Sequence, residues 1–265
     1  MEFIDKIMSL LKEGGASQAL AIAYIVVSAL VVIMAIVALV MWIVVAIRYS
    51  RANRMQTSSG KTSCEVAREA LDKAGLHYVQ VKKASFLRAW FWGNSYSLSK
   101  KTIFLRRNIM EKSSLTAVGL ALQKVGIAKA IEGGDIKAKT RNFLQIFGVF
   151  GPFMFIPLVL LGAIIDIVLF SHFGTWSIAG LVVGIIFLLT GALCTFLNIP
   201  VEKKANKVAL ELLEEYKVCT ASEREEIKKV LDTYITAYIL DFIVTVLRII
   251  QLILEILINS RTSSN

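Results

Sequence analysis

ALAIAYIVVSALVVIMAIVALVMWIVVAI, Ala19 to Ile47, is a run of 29 residues without a charge, and Ser28 is its one small polar interruption. About 20 apolar residues cross the hydrocarbon core of a bilayer, so this stretch predicts a membrane-spanning helix with length to spare for tilt. It does not read as a secretory signal. The apolar segment is too long, the residues before it are mixed in charge, and no small-residue cleavage site follows.

Working outward, a second apolar run extends from Phe143 to Phe170 with one charge, Asp166. The short connection Ser171–Trp176 leads to a third run, Ile178 to Leu197. Two apolar runs so closely joined predict an antiparallel helical hairpin across the membrane. A fourth segment, Tyr234 to Ile258, carries Asp241, Arg248 and Glu255. Seven residues turn a helix by about 700°, within about 20° of two full turns, so these three charges share one stripe. Neighbours on it are about 10 Å apart along the axis, too far to pair within the helix. Charges at membrane depth face protein, water or one another. One reading therefore seeks partners on other helices, with Asp166 a candidate for Arg248. The other lays the helix in the interface with its stripe toward the headgroups.

The composition agrees with a membrane protein. The 265 residues are 56% hydrophobic and 19% charged, and mean hydropathy is +0.65, against about a quarter charged in soluble domains. Cys64, Cys194 and Cys219 have no paired spacing, so neither a disulfide framework nor a thiolate zinc site is supported. The net charge of +10 is concentrated between Tyr49 and Phe143, where 18 Lys+Arg face 6 Asp+Glu, a net of +12. By the positive-inside rule the N-terminus is expected outside and this basic stretch in the cytoplasm. Attraction to anionic lipid headgroups accounts for the charge. No nucleic-acid module is present, and no nucleic-acid partner is expected.

The expected fold is mainly α: three to four transmembrane or hydrophobic helices with a small cytoplasmic α+β domain. The divisions are a leading segment 1–18, a membrane helix 19–48, the basic α+β domain 49–142, the hairpin 143–198, amphipathic helices 199–233, the charged hydrophobic helix 234–259 and a tail 260–265. Within the aqueous parts, Lys61 to Gly75 reads as a helix with Thr62 or Ser63 at its cap. Tyr78–Lys82, Tyr96–Ser99 and Thr102–Leu105 read as strands. Ser114 to Glu132 reads as a helix with one apolar stripe. Thr220-Ala221-Ser222-Glu223 opens a helix that runs on into the fourth apolar segment. Trp90, Phe91 and Trp92 form a dense aromatic cluster: a core plug, an interfacial anchor or a partner site.

The order of these elements carries a resemblance. SSGKTSCEVAREALDKAGL (Ser58–Leu76), SLTAVGLA (Ser114–Ala121), a membrane hairpin and IPVEKKANKVALELLEE (Ile199–Glu215) follow the first membrane helix. The chain resembles the neutral zinc metallopeptidases of the YugP type found in bacterial membranes, over roughly Gln56 to Leu254. The resemblance implies a zincin-like domain, a bacterial-type plasma membrane, and H-E-x-x-H on the helix that begins at Ser114. In that motif two histidines hold zinc and the glutamate serves as base, while a later glutamate completes the site. Val125, Gly126 and Ala128 keep the frame. Gln123 then stands at the first histidine, Lys124 at the base and Ile127 at the second histidine, and Glu202 remains at the third-ligand position.

An amide oxygen is a poor zinc ligand, isoleucine is none, and an ammonium cannot accept a proton. The two histidines of the chain, His77 and His172, form no H-x-x-x-H pair. No cofactor is therefore expected, and the chain is read as no enzyme. The favoured role is a scaffold, adaptor or regulatory subunit with protein partners in a membrane complex and anionic lipid around it. An active peptidase with an unconventional centre and a lipid-binding or transporter-like protein are the alternatives. Pro200-Val201-Glu202 reads as a helix start with Glu202 as its first-turn acid; the other reading pairs Glu202 with Lys124.

Overall fold

The computed structural model describes residues 18–170 and 174–262. The leading segment and His172 of the connecting turn lie outside the described residues, as does the end of the tail. The chain divides into two units. One comprises the described parts of Met1–Ile43 and Ile239–Asn265; the other is Val44–Tyr238.

The first long helix, α1, spans Gln18–Ala52, and the last, α8, spans Ala221–Thr262. In the first unit their apolar parts are joined by two polar contacts. Trp42 donates its indole N–H to both carboxylate oxygens of Asp241 at 3.2 Å. The Gln251 amide donates to the Ser28 hydroxyl at 3.1 Å. A polar side chain on an apolar helix is costly unless another helix satisfies it, which is why Ser28 and Asp241 each meet a partner.

In the second unit, α2 (Ser63–Lys73) begins with a full capping box. The Thr62 hydroxyl accepts from the Glu65 N–H while the Glu65 carboxylate accepts from the Thr62 N–H, so two otherwise orphaned donors are satisfied. β1 (Gln80–Lys83), α3 (Phe86–Trp92), β2 (Ser95–Ser97) and β3 (Thr102–Leu105) follow. The sheet order is β1-β3-β2, parallel between β1 and β3 and antiparallel between β2 and β3. After the single turn α4 (Arg107–Met110) comes α5 (Leu115–Glu132), capped by the Ser114 hydroxyl. Fifteen of its 18 residues are buried. The expected single apolar stripe is therefore corrected: α2, the sheet, and the two long helices that follow cover α5 on every side, so even its polar positions are enclosed.

α6 (Ile136–Phe170) and α7 (Thr175–Glu215) form the hairpin. α6 is bent by 61° between Ile136–Gly151 and Met154–Phe170. The break lies between Gly151 and Met154, a stretch whose sequence includes Pro152, and proline has no N–H to donate to the turn before it. By length and composition, α1 and α7 each suffice to cross a membrane, and bent α6 makes a third if its two arms are one span. Of the three to four transmembrane or hydrophobic helices expected, two pass this test among the described residues, or three with the broken one. Small residues let the hairpin backbones touch: a Cβ on Gly162 would collide with the Trp176 carbonyl, and one on Gly180 with the Leu158 carbonyl.

Two further expectations are corrected. Pro200 lies inside α7 rather than at a helix start, because the membrane helix continues unbroken into the amphipathic one and packing on both sides outweighs the lost backbone hydrogen bond. Asp166, expected to need a cation, takes part in no ion pair among the described residues. Its carboxylate accepts from the N–H groups of Gly174, Trp176 and Ser177 and from the Ser177 hydroxyl. These are orphan donors of the first turn of α7, and satisfying them is how a buried carboxylate is tolerated there.

Candidate functional site

The middle of α5 crosses α7 at Gly126. A Cβ at that position would lie 2.8 Å from the Ala205 carbonyl oxygen, so only glycine permits this approach. With the backbones this close, side chains within one turn of the crossing must meet. Gln123 donates its amide to the Asn206 side-chain oxygen at 2.6 Å, and Asn206 donates onward to the Leu231 carbonyl at 3.3 Å. The Lys124 ammonium lies 3.1 and 3.3 Å from the two carboxylate oxygens of Glu202. Arg141, from the first turns of α6, donates to the same Glu202 Oε1 at 3.1 Å and also to the Asn198 side chain.

This cluster is closed to water. Glu202 is 1% exposed, Lys124 7% and Arg141 9%. Burial pushes the Lys124 ammonium below its ordinary range; Glu202 opposes that shift and Arg141 adds to it. Two cations share one anion, and Glu202 has no carboxylate oxygen left without a cationic partner.

Of the two sequence readings of Glu202, the pairing with Lys124 is the one formed, and the first-turn role disappears with Pro200 inside the helix. Ile127 is packed in the apolar core. Arg141 and Asn206 went unnoticed in the sequence. Arg141 stands two residues before an apolar run, where a cation reads as an interfacial charge. Asn206 follows Glu202 by four residues on a helix, and that spacing is the signal that places both on one face.

The remaining candidates are dispersed. None of α3, including Trp90, Phe91 and Trp92, is buried, which excludes the core plug. Asp241 is half-buried against Trp42, while Arg248 and Glu255 are exposed and have no ion pair among the described residues. His77 is on the surface beside Asp72 at 3.1 Å.

A catalytic zinc centre uses about three protein ligands drawn from histidine, cysteine and carboxylate. The α5–α7 crossing offers one carboxylate, already engaged by two cations, together with two amides and an isoleucine. These residues do not fit zinc. Among the described residues no group of three His, Cys, Asp or Glu is placed to hold a metal ion.

Comparison with curated proteins and with solved structures yields no match. A family model described as "Putative neutral zinc metallopeptidase" matches residues 26–257. The match spans both units and every element of the α5–α7 crossing. It also corrects the expectation of no enzyme, because a peptidase family points to an enzyme. The chain belongs to the neutral zinc metallopeptidase family that this model describes.

Proposed function

We propose that this chain takes part in proteolysis at a membrane as a scaffold, adaptor or regulatory subunit of a membrane complex. The observation that carries the reading is the engagement of Glu202. Both of its oxygens accept from buried cations, so the junction works as a clamp that holds α5, α6 and α7 together. Peptide-bond hydrolysis is the chemistry to which the family points, and in this reading the chain contributes to it together with a partner.

The topology proposed with it has the N-terminus outside and the 49–142 domain in the cytoplasm, flanked by membrane helices. The supporting observation is the net charge of +12 over Tyr49–Phe143, which the positive-inside rule keeps on the cytoplasmic face.

The test is purification of the full chain in mild detergent, with co-purifying subunits identified and peptide hydrolysis and metal content measured before and after their removal. A defined membrane protein at fixed stoichiometry, with hydrolysis that requires the assembly, is the expected result. A chain that purifies alone, binds one zinc and cleaves peptides by itself would overturn the proposal in favour of a self-sufficient peptidase.

A further inference from the structure

The short helix α3 presents an unusual surface. Phe86 is 78% exposed, Leu87 67% and Trp90 72%. Phe86 and Trp90 are four residues apart with ring centroids at 6.3 Å, so they form one face. The opposite side of the helix is anchored. Phe91 and Trp92 stack against Phe150 of α6, with centroids 5.1 and 6.4 Å away. Phe150 is seven residues into the apolar run that begins at Phe143 and one residue before the bend. The aromatic helix is therefore held at the depth where α6 enters the apolar layer, with its free rings pointing away from the protein.

Beside it lies a cleft of about 810 Å³ between the end of β1, α3 and α4. Phe86 and Ala89 line it together with Lys83, Arg106, Arg107 and Lys112, and Glu111 is the one acid in the lining. Arg106 is fixed there by donating to the Ala89 carbonyl at 2.9 Å. Arg107 lies 3.8 Å from Glu111, and no ion pair of Lys83 or Lys112 occurs among the described residues. Four cations against one acid make a site for an anion. The apolar rings of Phe86 and Trp90 adjoin it, so a ligand that fills both places must carry a negative headgroup and an apolar body.

We propose that α3 and this cleft form a binding site for an anionic phospholipid of the bilayer, its phosphate among Lys83, Arg107 and Lys112 and its acyl chains against Phe86, Leu87 and Trp90. Tryptophan favours the membrane–water interface because its ring is apolar and its N–H seeks a polar partner. A cation next to an anionic leaflet is worth about a five-fold change in association each. The site ties the sheet domain to the membrane at a point away from the α5–α7 crossing, so it stands independently of the proteolytic role.

The test uses the full chain in nanodiscs of phosphatidylcholine, with or without phosphatidylglycerol, whose acyl chains are brominated near the headgroup. Quenching due to Trp90 is obtained as the difference between the wild type and W90F. Trp90 is expected to be quenched in both lipids and more strongly with phosphatidylglycerol. K83Q/R107Q/K112Q is expected to lower the preference for phosphatidylglycerol by on the order of 100-fold, the product of about five-fold for each charge removed. K203Q/K207Q/K228Q, with the same loss of charge elsewhere, should leave the preference unchanged. The proposal is overturned if Trp90 is quenched by aqueous acrylamide instead of bromolipid. It is equally overturned if neither agent reaches Trp90, the sign of a protein partner on that face, or if the two triple variants behave alike.

Discussion

Two glutamates meet α5, Glu132 near its C-terminal end and Glu202 near its middle, and they are held differently. At the C-terminal end, Glu132 accepts from the hydroxyls of Tyr78 at 2.9 Å and Tyr96 at 2.6 Å and from the Lys101 ammonium at 2.7 Å. That cluster has one anion and one cation, and Lys101 remains 43% exposed, so its charge keeps much of its hydration. Near the middle, Glu202 meets two cations that are both buried. The first arrangement is a neutral clasp between helix and sheet at the water's edge. The second has an excess positive charge inside the protein, which the single carboxylate must compensate. Removing an anion from the clasp exposes little; removing it from the crossing strands two buried cations.

The largest effect should therefore come from E202Q. Breaking a buried pair by deleting one partner costs about 3–5 kcal/mol, read as a lower thermal midpoint of the detergent-solubilised chain. A loss no greater than that of E132Q would show that the two clusters tolerate removal of their anion alike. G126A comes next. Its methyl would press on the Ala205 carbonyl at 2.8 Å, and overpacking of this kind costs about 1–3 kcal/mol. It should weaken the Lys124–Glu202 contact while leaving the Tyr78 and Tyr96 contacts intact, and hydrogen exchange at each end of α5 would locate the damage.

K124M tests the same cluster through one of its cations. Glu202 keeps Arg141, the excess charge is gone, and an apolar side chain occupies the space. The expected loss is about 1 kcal/mol or less, measured in the same thermal assay. A loss equal to that of E202Q would show that Lys124 is as indispensable as Glu202.

The smallest effect is the acid response of the clasp. Burial pushes the Glu132 carboxyl up, but hydrogen bonds from Lys101, Tyr96 and Tyr78 outweigh it and hold the group below its ordinary value of 4.5. The unfolded chain then binds the proton more readily than the folded one. The clasp's contribution is complete above that ordinary value and disappears as pH falls through the lowered one. E132Q should lower the thermal midpoint modestly at neutral pH and flatten this part of its pH dependence. An unchanged acid limb would remove Glu132 from the account.

Much of the fold was legible because it is encoded locally. The charge-free run Ala19–Ile47 forms one helix, Thr62 and Glu65 form their capping box, Ser114 caps α5, and the helix after Thr220 continues to Thr262. Each of these depends on residues within a turn or on the length of an apolar stretch. The site was only half legible. Lys124 and Glu202 are 78 residues apart, and their pairing came into view through an ordered resemblance, whereas Arg141 resembled any cation at the edge of a membrane segment. Glu132 drew no reading beyond the end of its helix, since nothing near it in the chain shows that two tyrosines and a lysine converge there.

By itself, the sequence determined which segments are apolar enough for a membrane, where the capped helices begin, and which family the chain resembles, since chain length, hydropathy and cap chemistry need no distant partner. Only the tertiary structure decided that α5 is covered on all sides, that Pro200 stays within a helix, that Asp166 caps a turn, and that Glu202 serves two cations. Those outcomes depend on which surfaces meet across the fold, and the close approach at Gly126 is what makes the polar side chains of α5 and α7 face one another away from water.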